Sequence, residues 1–185
     1  MKIGVFDIET SSLYANTGIE LCVCIKRYGV DGITIIRADK FQNWKNNRSN
    51  NKDVIATTVE TLKEYDVLVA HNGQYFDKTF LNSACLKYGI SPSIRWLKFI
   101  DPVLLARRHM RIARNSLASL IDYFDLQESK SPVAFKHWIQ ASHDGNKKSM
   151  GYIVEHCRKD VLTLEQVYDK VRLLVDRIDN RGSAY

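Results

Sequence analysis

The chain has 185 residues, enough for one domain with a sizeable core, and its 45% hydrophobic and 26% charged content is that of a soluble globular protein. Lys and Arg number 27 against 21 Asp and Glu, a net charge of +6 and a pI of about 9.1, which favours an anionic partner, nucleic acid first. No apolar run is long enough to span a bilayer and no signal-peptide pattern precedes the first strand, so a cytoplasmic protein without membrane association is expected.

In chain order, residues 2–8 read as a first strand. "LCVCIKRYG" (21–29) and "GITIIRA" (32–38) read as two more, joined as a hairpin by the turn-like "GVDG". Cys22 and Cys24 are too close for the usual zinc spacing, and all four cysteines are expected to be buried free thiols. Residues 39–53 hold five Asn without periodicity and read as loop. A helix over 54–65 leads into the short buried strand "DVLVAHNG" (66–73). A helix over 76–89 is closed by Gly89, and "WLKFID" (96–101) is a further short strand. Pro102 opens a helix "PVLLARRHMRIAR", and Asn115 or Ser116 caps the next, over 115–126. Residues 127–149 read as an irregular polar and basic stretch before a long last helix over 150–178. This order predicts one domain over 1–178 with a tail at 179–185, built on a mixed α/β sheet of about five strands, the first three antiparallel, with helices on both faces.

Several acids stand where a core would want something apolar. In "VFDIETSSL" the two-residue period of a strand puts Asp7 and Glu9 on one face, with Thr10 just beyond. Two like charges on one face repel unless a cation lies between them. In the last helix the stripe Ile153, Cys157, Val161, Leu164, Val167, Val171 and Leu174 has Asp160 beside it. His156, four residues before Asp160, lies about 40° round the helix and shares its face. Asp77 opens a helix just after a buried strand that runs out into His71 and Asn72. Taken alone it reads first as a cap or first-turn acid, and second as a site residue at a strand end. Carboxylates from three separated segments suit hard cations such as Mg²⁺ or Mn²⁺.

In order and spacing these segments resemble the DEDD superfamily of 3′-to-5′ exonucleases, the proofreading group with a ribonuclease H-like fold. "FDIET" resembles its first motif, "NGQYFD" (72–77) its second, and "GNKKSMGYIVEHCRKDV" (145–161) its third. "FID" ending at Asp101, with "SLASLIDYFDL" after it, resembles the intervening segment, so the likeness runs from about Lys2 to Leu174. One branch of the family has Tyr four residues before the last Asp, another His five before. Here the spacing is that of the tyrosine branch, with His156 in the tyrosine position. The resemblance implies two divalent cations, Mg²⁺ or Mn²⁺, held by Asp7, Glu9, Asp77 and Asp160. It implies His156 as general base or water-positioner, and Thr10, Leu13, Asn72 and Phe76 against the substrate. The implied activity is removal of nucleotides from the 3′ end of single-stranded DNA or RNA as monophosphates. A protein partner, such as a polymerase or another replication, repair or RNA-processing factor, would act in trans.

The residues by themselves leave two other readings, a weakly catalytic nucleic-acid-binding module of the same fold and a ribonuclease H-like endonuclease. Among the cations, Arg107, Arg111 and Arg114 would share one helix face with Arg108 beside them, either for phosphate or as a solvated face. Lys130, Lys136, His137, Trp138, Lys147 and Lys148 mix basic and aromatic character, as a single-strand track would, although Trp138 reads equally as a plug over the core.

Overall fold

The computed structural model describes residues 1–127 and 133–175. Five strands, β1 (Ile3–Thr10), β2 (Glu20–Arg27), β3 (Thr34–Arg37), β4 (Val67–Val69) and β5 (Lys98–Ile100), form one sheet in the order β3-β2-β1-β4-β5. The first three are antiparallel neighbours, whereas β4 runs parallel to β1 and β5 parallel to β4. This is the mixed sheet expected from the order of elements. The helices are α1 (Gln42–Asn46), α2 (Lys52–Leu62), α3 (Asp77–Tyr88), α4 (Pro102–His109), α5 (Leu117–Tyr123), α6 (Lys136–Ser142) and α7 (Lys147–Val171). Among the described residues no helix is long and apolar enough to cross a membrane.

β2 shows how both faces are covered. Cys24 Sγ approaches the Val154 carbonyl at 3.8 Å, and Lys26 Nζ donates to Glu165 Oε1 at 2.7 Å, so these two side chains meet α7. By the two-residue period Leu21, Val23 and Ile25 point to the other face, and α2 packs on this strand. All of these are buried. In the β1–β2 register Asp7 lies opposite Cys24 and Glu9 opposite Cys22, which places both acids on the α7 side of the sheet. The four cysteines are free and buried.

α7 buries Ile153, Cys157, Val161, Leu164, Val167 and Val171, as its spacing predicts, while Leu174 is half-buried in a short 3-10 turn beyond it. It begins at 147 rather than 150 because Asn146 caps it, its side chain accepting from Ser149 N–H at 2.9 Å. Ser116, not Asn115, caps α5.

Three expectations are corrected. α4 stops at His109: Met110 is extended, and Met110 and Ile112 reach the core two residues apart, the spacing of extended chain. Arg111 and Arg114 therefore leave the helix, and the expected row of arginines on one helix face does not form. Residues 39–53 are not all loop, since a 3-10 turn (Ala38–Lys40) and α1 bury Trp44 under the Arg48 guanidinium. The stretch 127–149 is not all irregular, since it contains α6 with Ala141 and Ser142 buried. Lys130, the helix end at 178, the domain boundary there and the tail 179–185 lie outside the described residues.

Candidate active site

The site is built where β1 ends. A bulge between Glu9 and Thr10 shifts the pairing with β2. Asp77, the first residue of α3 and only 2% exposed, accepts a hydrogen bond on Oδ1 from the Ile8 N–H at 3.2 Å. Ile8 lies between Asp7 and Glu9, so this bond fixes the third carboxylate beside the first two. The chain reaches α3 through a tight turn in which Asn72 has φ 60°. A Cβ on Gly73 would fall 2.2 Å from Ala70 Cβ, so the turn closes only with glycine there.

Asp101, fully buried, holds that turn. It accepts from the N–H groups of Asn72 (3.0 Å) and Gln74 (3.2 Å), and from Val103 (3.0 Å) as the cap of α4. Burial raises its pKa, and these backbone donors oppose the rise. Asp101→Ala removes these bonds and is expected to cost about 3 kcal/mol of stability. A thermal or urea unfolding curve measures it, and a loss below about 1 kcal/mol would contradict the role given to Asp101.

α7 brings the remaining side chains. His156 Nε2 lies 3.7 Å from Glu9 Oε1 and 3.7 Å from Asp160 Oδ2. Both distances are too long for a hydrogen bond, so the ring is committed to neither acid. Its Nδ1 is buried without a hydrogen-bond partner among the described residues. Behind the site, Cys157 Sγ donates to the Asp7 carbonyl at 3.2 Å, tying α7 to β1. From α6, Trp138 Nε1 donates to Glu9 Oε2 at 3.2 Å, and its ring stands edge-on to His156 at 6.0 Å.

The structure thus gathers Asp7, Glu9, Asp77, Asp160 and His156, and the acids feel one another. Burial raises the Asp7 pKa well above the usual carboxylate range, and the charges of Glu9, Asp77 and Asp160 raise it further. Burial pushes Glu9 up to about 8 against the Trp138 hydrogen bond, with Asp160 and Asp77 adding to the rise. Burial pushes Asp77 up to about 7, opposed by its own N–H and that of Ile8. Such a set is stable at neutral pH only with protons or cations among the oxygens.

Among the described residues no group of three or more His, Cys, Asp or Glu side chains converges closely enough, as the side chains stand, to hold a metal ion. Repulsion among the acids favours this spread, and Glu9 Oε2 is directed to the indole. The donors themselves are carboxylate oxygens in an enclosed setting, which fits hard divalent cations.

Beside Glu9 opens a cavity of about 380 Å³, lined among others by Thr10, Leu13, Phe76, Phe135 and Trp138. Leu13 is 74% exposed and so is no core residue, whereas Phe76 is half-buried against the core. Thr10 Oγ1 donates to the Ser12 carbonyl at 2.8 Å. Asn72 is exposed in its turn and does not line this cavity. Trp138 neither stacks in the open nor simply plugs the core. Its bond to Glu9 crosses 129 residues of sequence, and no local pattern announces it.

A β3-β2-β1-β4-β5 sheet, with acids at the end of its first strand facing another acid on the terminal helix, defines a ribonuclease H-like α/β protein, a nuclease fold. The family model of the RNase H superfamily matches residues 5–172, and the chain belongs to that superfamily. Among solved structures, the chain is similar to a family B DNA polymerase from the hyperthermophilic archaeon Pyrobaculum calidifontis, with TM-score 0.72 and 15% identity over 93% of this chain. At that identity the likeness is one of fold, and the chain spans 24% of the polymerase's length. A search of curated proteins gave no match.

Proposed function

We propose that the protein is a metal-dependent 3′-to-5′ exonuclease of the DEDD type, hydrolysing the terminal phosphodiester of single-stranded DNA or RNA to release nucleoside monophosphates. The observation that carries this reading is His156 Nε2 standing 3.7 Å from both Glu9 and Asp160, beside two further acids from β1 and α3. Asp7, Glu9, Asp77 and Asp160 would hold two divalent cations, Mg²⁺ or Mn²⁺. When bound, these supply the charge that neutralises the acids and polarises the phosphate and the attacking water.

The chain's own residues do the rest. His156 can orient a water and take its proton, because neither acid claims its Nε2. Leu13 and Phe76, walls of the cavity beside Glu9, would pack on the last base, with Thr10 near the terminal hydroxyl and Asn72 at the outer turn. An unpaired end fits such a recess. The fold likeness to a DNA polymerase supports a nucleic-acid substrate and an association with a polymerase or similar factor.

The test is a gel assay on 5′-labelled single-stranded DNA and RNA of one sequence in Mg²⁺, Mn²⁺ or EDTA. A metal-dependent ladder shortening from the 3′ end is expected. Binding without degradation of either strand would make the protein a binding module, and cleavage of a circular single strand would make it an endonuclease.

Trp138 has a consequence of its own. Ligating carboxylates are held in orientation by hydrogen bonds from a surrounding layer, and losing one such bond typically costs tenfold or more in metal affinity. Trp138→Phe keeps the ring and deletes the N–H. Its Mn²⁺ affinity, measured calorimetrically, is expected to fall about tenfold. An unchanged affinity would leave Trp138 as a cavity wall only.

A further inference from the structure

The larger cavity between α6 and α7, about 650 Å³, is not part of the acid site. Its walls include His137, Gln140, Lys148, Ser149 and Tyr152. Ser149, 2% exposed, donates its hydroxyl proton to Gln140 Oε1 at 2.8 Å, while His137 Nδ1 lies 3.0 Å from Ser149 Oγ. A hydroxyl has one proton, so His137 must be the donor in the second bond, and its ring is held by Nδ1–H. That ring packs against Tyr152, centroids 4.8 Å apart and planes at 57°. Tyr152 is thereby fixed on one side while remaining 43% exposed. Lys148 Nζ stands 5.9 Å from the Tyr152 ring centre. Glu155, the one acid in the wall among the described residues, is bound to Arg158 by two hydrogen bonds of 2.8 Å.

A fixed, half-open aromatic ring beside an ammonium group is suited to a base with its phosphate. Position points the same way. Val133 lines both this cavity and the one beside Glu9, so the two adjoin. Tyr152 precedes His156 by four residues on the same helix, about one turn or 6 Å.

We infer that this cavity holds an unpaired nucleotide further back on the strand whose end lies at the acids, its base stacked on Tyr152 and its phosphate at Lys148. The inference rests on the exonuclease reading and adds a second contact to it. An end-bound dinucleotide would not fill this cavity, whereas a longer strand would.

The experiment uses the full chain carrying Asp7→Ala in Mg²⁺, so that no turnover intrudes. Fluorescence anisotropy measures 5′-labelled oligodeoxythymidylate and oligouridylate of eight nucleotides, with dinucleotides as competitors. Tyr152→Ala is expected to weaken octanucleotide binding about tenfold, and Tyr152→Phe, which keeps the ring, to bind as its parent does. Lys148→Ala is expected to lower the slope of log affinity against log salt by about 0.7, one phosphate's share. Dinucleotide binding is expected to be unchanged in all three. If the parent binds the octanucleotide but Tyr152→Ala binds it equally well, or if Tyr152→Phe loses as much as Tyr152→Ala, the second contact is wrong and the exonuclease reading stands. If neither this parent nor the unmodified chain binds or degrades either length in Mg²⁺, both readings are overturned.

Discussion

Asp7→Ala is expected to lower the rate of 3′-end hydrolysis by on the order of 10³-fold or more while leaving the sheet folded. Asp7 stands in the central strand, and the other three acids all act on its charge. Removing it takes away the carboxylate on which the charges of the other three acids all act. Losing several kcal/mol of charge stabilisation at the reacting phosphate corresponds to that factor, at about 1.4 kcal/mol per tenfold. Stability should move the other way. Without a cation, Asp7 is a half-buried acid among like charges, so the variant should melt in EDTA no lower than the unmodified protein. Turnover retained near the original level would remove Asp7 from the chemistry. A large drop in melting temperature would instead mean that Asp7 is structural.

The second large effect is on stability. In EDTA, the protein is expected to become less stable as pH rises from about 5.5 to 8.5, by a few kcal/mol. In the unfolded chain the carboxyls titrate near 3.8 for Asp and 4.5 for Glu, whereas in the fold Glu9 is raised to about 8, Asp77 to about 7 and the buried Glu20 to about 7. Over that interval the folded state keeps protons that the unfolded state has lost, and the slope of unfolding free energy with pH is negative. The stabilisation is complete below about pH 4 and is lost as pH passes 7 to 8.

Glu20, which accepts from Thr58 on the α2 side, is raised mainly by burial and further by the Asp77 charge, and Glu20→Gln measures its share. Mg²⁺ or Mn²⁺ should flatten the curve above pH 7, since cations then take the place of the protons. Melting temperatures across pH, with EDTA and with metal, decide it. A curve in EDTA that is flat or rises toward pH 8 would contradict the raised carboxyls.

The two acids of β1 and the histidine and acid of α7 are visible in the sequence because they obey local geometry. A period of two puts Asp7 and Glu9 on one face, and a spacing of four puts His156 beside Asp160. The strands were legible for the same reason, as was the apolar stripe of α7. The end of α4 was not, because Met110 and Ile112 turn to extended spacing only where the core offers them a place. Nor was α6, a short helix in a polar stretch that is kept by packing against α7 rather than by a pattern of its own.

The sequence by itself determined the class of sheet and the residue types that could gather at its centre, because periodicity within a strand or helix is a property of neighbouring residues. Only the tertiary structure decided that Asp77 hangs from the Ile8 N–H across 69 residues, that Asp101 holds the Asn72 turn, and that Trp138 takes one oxygen of Glu9. Those contacts depend on how the sheet and its helices stack, and burial in that stack is what turns ordinary carboxyls into strongly raised ones.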